Sequence, residues 1–125
     1  MSLSEIHARL GNTAMLYFLL ISLWGYFRFF RNQGISSSYW GALAVGEILL
    51  LIQGGIGGYL WIAGMRPLRA IHILYGFVAL IMIPGAFAYT KGESNRAEIL
   101  IYGTATLIGV GLLMRGIITA LPPGN

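Results

Sequence analysis

The chain contains no cysteine, which excludes disulfides, thiolate metal sites, iron–sulfur clusters and haem attached covalently through a pair of thiols. Charge is almost as scarce. Only 10% of the 125 residues are Asp, Glu, Lys or Arg, against about 25% in an ordinary soluble domain, so a soluble globular protein is excluded as well. The eight basic residues outnumber the four acidic ones, but they stand singly or in pairs rather than along one face. That distribution argues against nucleic acid as a partner and for anchoring at a lipid surface.

What the chain has instead is apolar surface and glycine. Hydrophobic residues make up 57% of it, with 18 glycines and a mean hydropathy of +0.75, a composition expected of apolar helices packed through small residues in a lipid bilayer. At about 20 apolar residues per crossing, a chain of this length holds four helices and little else. The apolar runs place them at about 6–30, 39–63, 68–89 and 96–119 within a single domain, 1–125. Ser36, Ser37 and Ser38 are candidate caps for the second helix, Pro67 suits the first turn of the third, and Pro84 with Gly85 predicts a kink near its end. Short connections imply an all-α, antiparallel up-down four-helix bundle.

Orientation follows from the basic residues. Arg9, Arg66, Arg69 and Arg115 fall at one end, and Arg28, Arg31, Lys91 and Arg96 at the other. With Arg9 and Arg115 inside helices, the loops count two against four, which puts the second end in the cytoplasm and the N-terminus outside. The first segment carries Glu5, His7 and Arg9 and leads straight into a full-length apolar helix, so it reads as retained rather than cleaved. Trp24, Trp40 and Trp61 read as interfacial belt residues.

Two histidines carry the chemistry. His7 and His72 each open an odd-numbered helix, and each is followed four residues later by a glycine, Gly11 and Gly76. Residues four apart share a helix face, so each glycine leaves room beside its imidazole for a flat ring. The repeat suggests that helices 1–2 and 3–4 are a parallel duplication about a pseudo-twofold axis along the membrane normal, with both imidazoles facing one central site. Two neutral imidazoles from opposite sides are what one axially ligated haem b requires, whereas zinc wants more ligands. Gln53, Arg9 and Arg115 fall at the same level, where polar groups need partners that haem propionates would supply. The runs Gln53-Gly54-Gly55-Ile56-Gly57-Gly58 and Gly109-Val110-Gly111 would let helices 2 and 4 press on a macrocycle. Two alternatives stay open at this level. A histidine near a helix end can contact lipid headgroups, and Gly54-x-x-x-Gly58 is also a helix-packing motif. Glu47, mid-way along helix 2, is expected to be neutral or hydrogen-bonded to Tyr17, Tyr102 or Thr104, with a proton or quinone role as the alternative.

The stretch Leu51-Ile52-Gln53-Gly54-Gly55-Ile56-Gly57-Gly58 followed by His72-Ile73-Leu74-Tyr75-Gly76 resembles the Gln-x-x-x-Gly-Gly and His pattern of the haem A synthase family. The opening Glu5-Ile6-His7-Ala8-Arg9-Leu10-Gly11 is similar to that family's helix start. Members have eight transmembrane helices in two related four-helix halves, and this chain resembles one half. The resemblance implies His7 and His72 as axial ligands of one haem b near the outer face of a bacterial plasma membrane. It departs from the family in having one bundle, no loop cysteines, and Glu5 only two residues before His7.

Three functional expectations follow. The first is a small b-type cytochrome with one haem b per chain, an electron-transfer or accessory subunit of a respiratory or photosynthetic membrane complex, working with other subunits, a homodimer mate or a quinone. The second is a homodimeric haem-modifying synthase with Glu5 as its catalytic carboxylate. The third is a haem-free structural subunit or one that binds (bacterio)chlorophyll.

Overall fold

In a computed structural model of the chain, which describes residues 2–64 and 70–120, four helices form: α1 Leu3–Phe30, α2 Ser37–Ile62, α3 Ile71–Thr90 and α4 Arg96–Thr119. All four are long and apolar enough to cross a membrane. The fourth has its expected bounds. The first two begin earlier than the apolar runs suggest, because capping chemistry rather than hydropathy sets a helix start. Ser2 Oγ accepts from Glu5 N at 3.1 Å, and Ser36 Oγ accepts from Tyr39 N at 3.1 Å. Pro67 and the Pro122-Pro123-Gly124 segment lie outside the described residues. Pro84 sits inside α3, which runs as one helix from Ile71 to Thr90. Lys91 and Gly92 then stop it in left-handed conformation, with φ of 55° and 72°, and Gly92 N reaches back to Phe87 O at 3.3 Å.

The helices pack as a ring, α1 on α2, α2 on α3, α3 on α4 and α4 on α1, so α1 and α3 stand across from each other. The α1–α4 interface is the most extensive and α2–α3 the least. Sequence explains the first. A Cβ added at Gly25 would meet Gly103 Cα at 3.1 Å and Tyr39 Oη at 2.6 Å, so only glycine lets α1 and α4 come this close. Ser22 Oγ donates to Gly103 O at 2.8 Å beside that crossing.

Around it the buried hydroxyls have hydrogen-bond partners. Tyr39 Oη donates to Ile21 O at 3.1 Å, Tyr102 Oη meets Thr90 Oγ1 at 3.0 Å, and Thr106 Oγ1 donates to Tyr102 O at 2.8 Å. Trp40 packs edge-on against Phe87 and Tyr102, with ring centroids 5.8 and 5.3 Å away. The two inter-helix connections at this end are tied together by Ile35 N to Ser94 O at 2.8 Å and Trp40 Nε1 to Ser94 Oγ at 3.0 Å. One end of the ring is therefore a filled, hydrogen-bonded core.

Forcing a side chain into that crossing overpacks it. Gly25→Leu is expected to lower unfolding stability in detergent by about 1–3 kcal/mol. Gly41→Leu, at an exposed site where a Cβ meets nothing within 4 Å, is expected to change little in the same denaturation assay.

Candidate cofactor site between His7 and His72

The other end of the ring holds a cavity of about 700 Å³ to which all four helices contribute. That lies within the roughly 300–1,000 Å³ of small-molecule and cofactor sites. His7, Gly11, Gln53, His72 and Gly76 all line it. The first turns of α1 and α3 bring the two imidazoles face to edge, with ring centroids 6.1 Å apart and planes 74° apart.

Each imidazole rests on a glycine of the next helix. His72 Nδ1 lies 2.6 Å from Gly116 O. A carbonyl oxygen can only accept, so Nδ1 carries a proton, and in the neutral ring Nε2 is the nitrogen with the free lone pair. A Cβ added at Gly57 would meet His7 Cε1 at 3.0 Å, so that ring too lies close over a bare helix surface. Gln53 Nε2 donates to His7 O at 2.6 Å and ties α2 to the first turn of α1. His7 Nδ1 and Gln53 Oε1 are buried without a hydrogen-bond partner, a condition that buried polar groups seldom tolerate.

The glycines divide. A Cβ at Gly58 or Gly76 would meet nothing within 4 Å, and one at Gly54 only Leu80 Cδ1 at 3.9 Å; all three line the cavity. Here the glycines border open space rather than a neighbouring helix. Gly11 behaves differently from the expectation of an open face beside His7. Its space is taken by Gln53 Nε2, at 3.3 Å from a Cβ placed there, and by Ile117 Cγ1 at 3.7 Å. Gly109 is buried against Met82 of α3, and Gly111 is exposed.

Three polar residues lie outside the lining. Arg9 and Arg115 are exposed, the latter with its guanidinium 5.9 Å from the Tyr75 ring centroid. Glu5 is exposed, and its backbone N–H is engaged in the Ser2 cap. The hydrogen bond expected for Glu47 does not form. Tyr17 Oη donates to Ala42 O at 2.7 Å, Tyr102 pairs with Thr90, and Thr104 pairs with Tyr26 at 2.9 Å. All three expected partners are engaged elsewhere, and Glu47 Oε2 is buried without one.

Gly57 and Gly116 were not singled out by the histidine–glycine repeat, which pairs residues within one helix. The signal for them is that His7 and Gly57 lie equally far along the chain from the turn at Asn32, and His72 and Gly116 equally far from Ser94. Among the described residues no group of three or more His, Asp or Glu gathers as a metal site; the two imidazoles are the titratable side chains that line the cavity beside Tyr75. Comparison with known proteins finds no match to this chain among family models, curated sequences or solved structures.

The contact between His7 and Gly57 is directly testable. Gly57→Ala should displace the His7 ring and shift its Cε1–H signal in carbon–proton NMR spectra. Gly55→Ala, where a Cβ meets nothing within 4 Å, should leave that signal in place.

Proposed function

We infer that this chain is a membrane-embedded b-type haem protein that holds one haem b between His7 and His72 and passes single electrons as a small carrier or accessory subunit of a membrane complex. The observation that carries the reading is the pair of imidazoles, brought by α1 and α3 to 6.1 Å from each other, that line one glycine-rich cavity. Three further features support it. Nε2 of His72 is left free by the bond from Nδ1 to Gly116 O, which is how a ligating histidine is ordinarily oriented. His7 Nδ1 and Gln53 Oε1 are polar atoms at the same cavity that lack partners. Gly58 and Gly76 offer a surface with space for a flat macrocycle. A haem supplies reversible one-electron exchange; the chain binds it, fixes its axial ligands and surrounds it with apolar side chains.

The finer architecture belongs to the same proposal. The four helices cross a bacterial plasma membrane in antiparallel up-down order, a reading supported by the contacts of His7 with Gly57 and of His72 with Gly116. Helices 1–2 and 3–4 form a duplicated pair, since each histidine meets a glycine of the helix that follows. On this reading the chain is a single-bundle counterpart of one half of a haem A synthase. The histidine end faces outward, and the end bearing Arg28, Arg31, Lys91 and Arg96 faces the cytoplasm. The electron partner is a quinone or a redox subunit of the host complex, because one haem alone only relays.

Substitution of the two ligands tests this. His7→Ala and His72→Ala should each abolish the same low-spin spectrum and bring haem content from one per chain to near none, with helical content retained. Loss of different spectroscopic species by the two variants, or of none, overturns the reading and favours separate pigments or a structural role.

A further inference from the structure

The two imidazoles are held unequally. His72 has a backbone carbonyl as acceptor for Nδ1, Gly116 O at 2.6 Å, whereas Nδ1 of His7 is buried and bonds to nothing. Beside it on α2, Gln53 is half used. Its Nε2 donates to His7 O at 2.6 Å, while Oε1 is buried and accepts nothing.

These orphaned atoms are complementary and sit on two residues already in contact. A carboxamide oxygen is an acceptor, and an imidazole whose other nitrogen coordinates a metal presents Nδ1 as a donor. Elsewhere among the described residues only Glu47 Oε2 and Glu98 Oε2 are similarly left, and neither residue lines the cavity. His7 and Gln53 thus form the one orphaned donor–acceptor pair, and both residues line the cavity.

We propose that Gln53 is the positioning residue of His7, its Oε1 accepting the Nδ1–H of that imidazole as Gly116 O does for His72. A torsion of the imidazole or of the carboxamide closes the pair while Nε2 faces the metal. The inference rests on the reading of His7 and His72 as haem ligands. Its consequence is electronic: an imidazole that donates Nδ1–H is a more basic ligand and favours ferric over ferrous iron. One axial ligand is then set by an invariant backbone carbonyl and the other by a replaceable side chain.

Haem-loaded protein in detergent provides the test. Gln53→Met, which has neither donor nor acceptor, should keep the low-spin spectrum, raise the midpoint potential, and remove a solvent-protected His7 Nδ1–H signal from nitrogen–proton NMR spectra of the reduced state. Gln53→Glu, as the neutral acid at mildly acidic pH, keeps an O–H for His7 O and a C=O for Nδ1, so it should return the potential toward the wild-type value. An unchanged potential in Gln53→Met, or an equal shift in both variants, overturns the proposal. Should Gln53→Met not fold, the wild-type spectrum decides: protected Nδ1–H signals from both axial histidines support the pairing, and one from His72 alone overturns it. Wild-type protein that binds no haem fails the underlying reading instead, a result distinguishable from haem-loaded protein with an unresponsive potential.

Discussion

Contact between Gly25 and Gly103 sets how closely α1 and α4, the most extensive interface of the bundle, approach each other. With no side chain on Gly25, α1 and α4 meet at a distance that a Cβ there would break, and Ser22 locks the crossing through Gly103 O. The aromatic residues Tyr39, Trp40 and Tyr102 fill the ring at that end, and the hydroxyls of Tyr39 and Tyr102 have partners. Among the described residues nothing equivalent draws α2 and α3 together at the other end, where Gly54, Gly58 and Gly76 line a cavity instead of a helix contact. The same residue type therefore admits a close helix crossing at one end of the bundle and borders open space at the other.

Polar satisfaction divides along the same line. A buried polar atom without a partner is costly in apolar surroundings. At the filled end, Ser22, Thr90 and Thr106 all have partners, with Glu98 Oε2 as the exception. At the cavity, His7 Nδ1 and Gln53 Oε1 have none. Two of the four buried, unpartnered polar atoms among the described residues thus lie beside the unfilled volume and the two imidazoles, while Glu47 Oε2 and Glu98 Oε2 lie elsewhere. That coincidence is why a ligand-binding reading is preferred to headgroup contact by two unrelated histidines.

The helices were legible because four apolar runs separated by short polar turns leave few alternatives, and α4 begins and ends where its run does. Helix starts were less legible: Ser2 and Ser36 extend α1 and α2 by hydrogen bonding, which hydropathy does not register. The matched depth of His7 and His72 was visible in the spacing to Gly11 and Gly76. What spacing within one helix could not convey was which neighbouring helix each ring would meet. Gly57 and Gly116 supply those surfaces, and the space beside His7 at Gly11 goes to Gln53 and Ile117. The outward placement of Arg9 and Arg115 escaped for a related reason, since depth along a helix says nothing of the direction a side chain takes around it. Glu47 lost its expected partners because Tyr17, Tyr102 and Thr104 each have a nearer acceptor or hydroxyl.

The central claim is that the facing imidazoles bind one haem. It is tested most directly by a dithionite-reduced minus oxidised absorption spectrum of the purified wild-type chain, with a pyridine haemochrome assay to count haem. The account predicts a low-spin b-type spectrum at one haem per chain. A chain purified from haem-replete cells with no haem, or with a chlorin spectrum, would contradict it.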